Sequence, residues 1–163
     1  MDLVEKLSKY LENCYRYLSI RNRSVKEIRD YLTKKKAEPE MIDVIVERLT
    51  KQKFLNDETF ARGWVLQRAR LRPRGKCLLQ IELRQKGISD ELIEQVLSEA
   101  HEEIPDELTQ AKSLIVRRVE KLADQPRQEI YNKVGAFLGR RGYGWEVIKK
   151  AIDETLDERN QLE

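Results

Sequence analysis

The chain is poor in residues that interrupt helices. Its 163 positions hold 7 glycines and 4 prolines. That is too few for the closely spaced turns of a β architecture, and it favours long helices. There is one histidine, His101, and there are two cysteines, Cys14 and Cys77. The cysteines form no C-x-x-C pair, and His101 lies in the acidic stretch 99–107 with no second ligand at metal-binding spacing. Neither a metal nor a cofactor is expected. Both cysteines read as small packing residues in a reducing compartment. No serine stands in a nucleophile-elbow pattern. Gly75-Lys76 fails as a phosphate loop, because Arg70 occupies the place of its first glycine and Cys77 that of its Ser or Thr. No catalytic residue is expected, and an enzyme is the least supported class. No run of eighteen apolar residues exists, so no membrane contact is expected. The start, Met1-Asp2-Leu3-Val4-Glu5-Lys6, carries acids and lacks an apolar signal core, so a cytoplasmic location is expected.

Apolar residues make up 40% of the chain and charged residues 37%. Apolar surface spread that thinly favours an elongated shape over one large round core. The chain also repeats itself. The segment Arg84-Gln85-Lys86-Gly87-Ile88 leads into apolar pairs Leu92/Ile93 and Val96/Leu97. Gly139-Arg140-Arg141-Gly142-Tyr143 leads into Val147/Ile148 and Ala151/Ile152, and Lys35-Lys36-Ala37 into Met41/Ile42 and Ile45/Val46. Pairs spaced by four mark one face of a helix. The helices before them agree, with Ile28/Leu32, Leu79/Leu83 and Val134/Leu138 in equivalent positions. The copies lie 51 and 55 residues apart, a spacing that suits a helical repeat.

These patterns predict an all-α fold of three tandem three-helix repeats forming an elongated, curved array, covering 1–53, 54–104 and 105–163, the last with an acidic tail. Helices are expected near 4–20, 24–36 and 39–52, then 57–71, 75–86 and 89–103, then 106–123, 127–141 and 144–158. Ser24 and Ser89 are suited to cap helix starts, and Pro39 to a first turn. Gly87 and Gly142 follow basic helix ends, where a left-handed residue is wanted. Asn56 or Asp57 can cap the helix that follows, while Leu55 and Phe60 pin it to the core. Trp64, four residues after Phe60, reads as core, and Tyr143 as an apolar plug matching Ile88.

The net charge of +3 is mild, but its distribution is not even. From Ala61 to Ile81 the chain carries Arg62, Arg68, Arg70, Arg72, Arg74 and Lys76 and no acid. A solvated helix mixes signs to gain paired contacts. A segment of one sign invites an anionic partner, either phosphate or an acidic protein groove. A second basic region holds Arg16, Arg21, Arg23, Lys34, Lys35 and Lys36.

One stretch is more specific. Phe54-Leu55-Asn56-Asp57-Glu58-Thr59-Phe60-Ala61 is followed by Arg68, by Arg72-Pro73-Arg74-Gly75-Lys76, and by Ile81-Glu82-Leu83-Arg84-Gln85-Lys86-Gly87-Ile88. This resembles the central signature of the RecX family of bacterial regulatory proteins, which modulate the recombinase RecA. Arg140-Arg141-Gly142-Tyr143 and the three-repeat layout resemble it too, over residues 10–158. The resemblance implies a non-enzymatic, monomeric protein that lies in the groove of the RecA–DNA filament. It implies inhibition of ATPase activity, filament extension and strand exchange, and so an effect on recombination, DNA repair and the SOS response. The residues that match best as partner contacts are Arg62, Arg68, Arg70, Arg72, Arg74, Lys76, Arg84 and Lys86. A sequence-independent helical DNA-binding module, touching single- or double-stranded DNA, is the alternative. One position departs from the pattern: Lys36 stands where the other copies have glycine, so the first repeat is expected to end its second helix differently.

Overall fold

The structure, a computed structural model, describes residues 1–163. All its regular structure is helical. The first three helices are α1 (Leu3–Ile20), α2 (Val25–Lys34) and α3 (Pro39–Lys51). The next three are α4 (Asp57–Leu71), α5 (Lys76–Gln85) and α6 (Asp90–Glu99), followed by a short 3₁₀ turn, Ala100–Glu102. The last three are α7 (Glu107–Lys121), α8 (Arg127–Arg140) and α9 (Trp145–Leu162). The all-α class and the three successive three-helix sets are as the periodicity predicts. Two ends differ. The pattern over 89–103 breaks at Glu99 into the 3₁₀ turn, and α9 runs on through the acidic tail to Leu162.

Local chemistry sets the helix starts. Asp2 and Ser24 each accept a hydrogen bond from the backbone N–H three residues on, and Glu5 and Glu27 reach back to the capping residue. These are two capping boxes. Pro39 sits in the first turn of α3. The Ser89 hydroxyl accepts from Leu92 N–H at 3.3 Å. Asn56, not Asp57, caps α4, accepting from Thr59 N–H at 3.1 Å. Asp57 instead reaches back across the sequence and accepts from Val25 N–H at 2.9 Å, at the start of α2. Burial raises the Asp57 carboxyl above its ordinary value, and the Val25 N–H opposes that shift.

The second helix of each set ends in the same turn. Ala37, Ile88 and Tyr143 each donate an N–H back to the carbonyl of Leu32, Leu83 and Leu138 respectively. The residue before each is left-handed: Lys36 at φ +63°, Gly87 at +79° and Gly142 at +88°. This is the Schellman closure of a helix. The expectation that the first repeat ends its second helix differently is therefore corrected. Lys36 adopts the glycine conformation in spite of its Cβ, because the same two hydrogen bonds and the same buried leucine demand it.

The chain divides into two compact units. The first comprises Met1–Trp64 and Leu83–Val96, the second Val65–Glu82 and Leu97–Glu163. The core of the first gathers Leu11, Cys14, Ile28, Leu32, Ile45 and Leu49. That of the second gathers Ile115, Val119, Val134, Leu138, Ala151 and Ile152. The repeated pairs behave alike in every copy. The leading residues Met41, Leu92 and Val147 are partly buried and the other three of each set are buried. Tyr143 and Ile88 are both 4% exposed, as plugs should be. The Tyr143 hydroxyl donates to Gln110 Oε1 at 3.1 Å, and burial, followed by the charge of Glu107, pushes it up to about 12.

The two cysteines part company. Cys14 is fully buried, and desolvation pushes its thiol up to about 11. Cys77 is exposed, so its reading as a packing residue is corrected. It occupies the outward face of the first turn of α5, where a small side chain meets solvent. Trp64 is half-buried rather than fully in the core; it stacks on Phe60 with centroids 5.8 Å apart.

Candidate functional site

The basic residues divide into those with acidic partners and those without. In the first unit, Arg62 Nη2 lies 2.9 Å from Glu58 Oε1, one turn away on α4. Arg84 Nε lies 2.7 Å from Asp90. Lys86 Nζ lies 3.5 Å from Glu27 and 5.4 Å from the centre of the Trp64 ring. Glu27 also receives Arg21 and Arg23. Burial alone would raise its carboxyl. The Arg21 hydrogen bond, the Ser24 N–H and the charges of Arg21 and Lys86 outweigh that and hold it below its ordinary value. The second basic region is thereby partly neutralised, and the Arg23 guanidinium carbon stands over the Tyr17 ring, 3.7 Å from its centre.

In the second unit the acid-free run meets an acid just beyond its end. Glu82, whose side chain is 12% exposed, accepts Arg74 Nη1 at 2.6 Å and Arg68 Nε at 3.3 Å. The sequence run conceals this pairing, because nearly two turns of α5 separate Glu82 from the loop in sequence yet leave it beside the loop in space. Lys76 lies near Glu107, whose carboxylate also accepts the Lys76 backbone N–H. Arg70 and Arg72 are exposed and have no acidic partner. Of the eight residues selected from sequence, these two have charge left over for a partner.

The loop that carries Arg72 and Arg74 is braced against a segment nearly seventy residues later. Gly75 N–H donates to the Arg141 carbonyl at 2.7 Å. A Cβ on Gly75 would stand 2.2 Å from the Gly142 carbonyl oxygen, and a Cβ on Gly142 would stand 2.3 Å from Leu78 Cβ. Two glycines therefore let two backbones touch. The contact brings Arg140 and Arg141 to Arg72 and Arg74, and together with Leu78 these four arginines line a cleft of about 260 Å³. Arg141 is held over Phe137 at 4.8 Å, with Arg118 on the same ring at 3.8 Å. Arg74 Nε is buried and has no hydrogen-bond acceptor. The run 61–81 gave no hint of Arg140 and Arg141 as neighbours. Their shared Arg-Arg-Gly spelling is visible in sequence, but not where it folds.

A larger cavity of about 510 Å³ in the same unit is lined by Val65, Leu79 and Ile104 together with Lys76, His101 and Glu107. His101 is exposed, with Nδ1 against the Ser98 carbonyl. Burial raises the Glu107 carboxyl, and Lys76 opposes that.

Comparison with known proteins gives the arrangement a lineage. The first, second and third three-helix domains of RecX match residues 11–49, 56–97 and 105–152. Regulatory protein RecX of Prosthecochloris aestuarii is 33% identical over 91% of this chain and 94% of its own length. The chain belongs to the RecX family. Regulatory protein RecX of Bacillus pumilus is 35% identical over 94% of this chain and 57% of its own. The chain thus spans little more than half the length of that relative, and 62% of its Bacillus subtilis counterpart. The crystal structure of RecX from Lactobacillus salivarius shares the fold, with a TM-score of 0.83 at 23% identity over 95% of this chain and 99% of that one. The RecX relatives named here are regulatory proteins. The second RecX domain holds all eight selected basic residues, and the third holds Arg140 and Arg141. No helix is long and apolar enough to cross a membrane, and no cluster of His, Cys, Asp or Glu is grouped to hold a metal.

Proposed function

We propose that this chain is a negative regulator of the RecA recombinase. It binds in the groove of the RecA–DNA filament as a cytoplasmic monomer and inhibits ATPase activity, filament extension and strand exchange. Recombination, DNA repair and the SOS response are thereby restrained. The observation that carries this reading is the match to all three RecX domains across one chain. The charge distribution supports a contact surface on the second domain. Arg62, Arg68, Arg74, Arg84 and Lys86 have acidic neighbours within the protein, so their charge is largely spent on the fold. Arg70 and Arg72 do not. Exposed cations of this kind set encounter rate and orientation more than affinity. Affinity would come from apolar and paired contacts made on burial.

The test is RecA ATPase on single-stranded DNA, with and without the protein. The parent should inhibit. Arg70→Glu with Arg72→Glu should keep its helical circular dichroism and inhibit at least about tenfold less well, since reversing rim charges reduces association. Arg74 is left out of this variant, because Glu at that position would face Glu82 at the distance now held by an ion pair. A folded double variant that inhibits like the parent would remove this surface from the interface. Failure of the parent to inhibit would remove the function.

A second reading is a sequence-independent DNA-binding module. The four-arginine cleft favours it, and it is compatible with the first.

A further inference from the structure

We infer that the hollow where the second and third domains meet, inside the second compact unit, binds a small amphipathic carboxylate. The inference goes beyond the RecA reading and requires only this chain. The hollow measures about 510 Å³, a size that suits a free small molecule. Both domains give it apolar walls. Val65 of α4, Leu79 of α5 and Leu97 of α6 are buried there. Leu108 of α7 and Val147 of α9 face them, with Ile104 in the connecting loop, and these three are partly buried. Two small residues, Ala69 and Ala100, line the space without filling it. Protein interiors rarely leave apolar space of this size unpacked.

The polar groups around this apolar body are unevenly committed. The acceptors are engaged within the fold. Asp106 accepts the Thr109 N–H at 2.7 Å, and the Glu107 carboxylate accepts the Lys76 backbone N–H. Gln110 donates to the Pro105 carbonyl at 2.7 Å and accepts the Tyr143 hydroxyl at 3.1 Å. His101 turns its Nδ1 to the Ser98 carbonyl. The donors have capacity left. Arg74 gives Nη1 to Glu82, but its Nε–H is buried and has no acceptor. Such a donor costs stability until an acceptor reaches it. The Lys76 side chain is exposed and lines the same space. A carboxylate is an acceptor only, and its two oxygens match a guanidinium. The two acids on the wall do not bar it. Asp106 and Glu107 stand at the start of α7, where the helix dipole favours negative charge, and the charge of Lys76 offsets that of Glu107. An apolar body with one carboxylate head therefore fits both the walls and the unspent donors.

The experiment uses the protein alone. Anilinonaphthalene sulfonate, an apolar anion that fluoresces in apolar surroundings, reports occupancy, and decanoate, decanol and decylamine compete for it below their micellar concentrations. Decanoate should displace the dye about tenfold better than decanol, the worth of one charge-assisted hydrogen bond, and decylamine should be weakest. Saturating decanoate should raise the melting temperature. Ala69→Phe and, separately, Ala100→Leu fill the hollow from two elements. Each should melt near the parent's temperature and bind decanoate about tenfold or more weakly. Arg74→Lys keeps the charge and lacks the Nε–H, so it should cut the preference for decanoate over decanol to about threefold or less. Val116→Phe, on an exposed face of α7, should change nothing. Equal displacement by all three competitors would mean adventitious apolar binding only and would overturn the inference. So would a filled variant that folds and binds like the parent, or an unchanged preference in Arg74→Lys. A parent that takes up no carboxylate, with filled variants that lose RecA inhibition, would make the hollow a partner contact and overturn it as well.

Discussion

The turn that ends α2 and the turn that ends α8 have the same hydrogen bonds and opposite surroundings. Both close with an N–H on a leucine carbonyl, that of partly buried Ala37 on Leu32 and that of buried Tyr143 on Leu138. Both hold a left-handed residue at the bend. At the first turn that residue is Lys36, exposed, with its side chain free to point outwards. At the last it is buried Gly142, with Leu78 of another helix directly against it. The left-handed angle alone costs a non-glycine residue roughly 1–2 kcal/mol, which a fold can absorb. A backbone pressed against the Cβ position cannot be absorbed that way. Glycine is thus required where a second segment docks, and merely convenient where none does. The docked turn is also the one that assembles the four arginines.

Breaking the docked turn should have the largest effect. Gly142→Ala adds a left-handed Cβ and places it 2.3 Å from Leu78 Cβ and 2.6 Å from Leu78 N. A loss of about 3 kcal/mol or more in urea unfolding is expected from the strain and overpacking together. Gly75→Ala isolates the packing part, since Gly75 has no positive φ and the atoms nearest its Cβ position are those of the Gly142–Tyr143 backbone. It should cost about 2 kcal/mol. Full stability in that variant would mean the loops are not braced. In the first unit, Asp57→Ala should cost about 1 kcal/mol by removing the acceptor for Val25 N–H at the start of α2, and Asp57→Asn should recover most of it. Lys36→Gly should stabilise the protein by up to about 1 kcal/mol, the relief of its bend less the added freedom of the unfolded chain. A loss there would show that the Lys36 side chain has a role at the turn.

The smallest effect concerns pH. The Glu27 carboxyl is held below its ordinary value of 4.5, so the stability it contributes is complete above that value. It is lost as pH falls from there through the lowered folded value. Glu27→Gln should therefore flatten the acid limb of a stability–pH curve; an unchanged limb would mean that the Arg21, Arg23 and Lys86 cluster does not hold its geometry in solution.

Much of the fold was legible because its determinants are local. Ser24 with Glu27, Asp2 with Glu5, and Asn56 with Thr59 are contacts across three residues. The paired apolar positions, such as Ile45/Val46 and Ala151/Ile152, follow the helical period and are buried. The site was less legible. The run from Arg62 to Lys76 is free of acid in sequence, yet Glu58 and Glu82 lie just outside it and neutralise part of it. The bend at Lys36 does not show in its residue type, because the hydrogen bonds that close the turn compel its conformation.

By itself the sequence determined the helices, their caps, the buried face of each and the family, because period and capping act over three or four residues and survive any arrangement of the whole. Only the tertiary structure decided which cations keep their charge. Asp57 caps a helix more than thirty residues earlier, Glu27 meets Lys86, and Gly75 admits Gly142, so that Arg140 and Arg141 join Arg72 and Arg74. Coulomb attraction and steric exclusion depend on distance in space, and spacing along the chain does not give that distance.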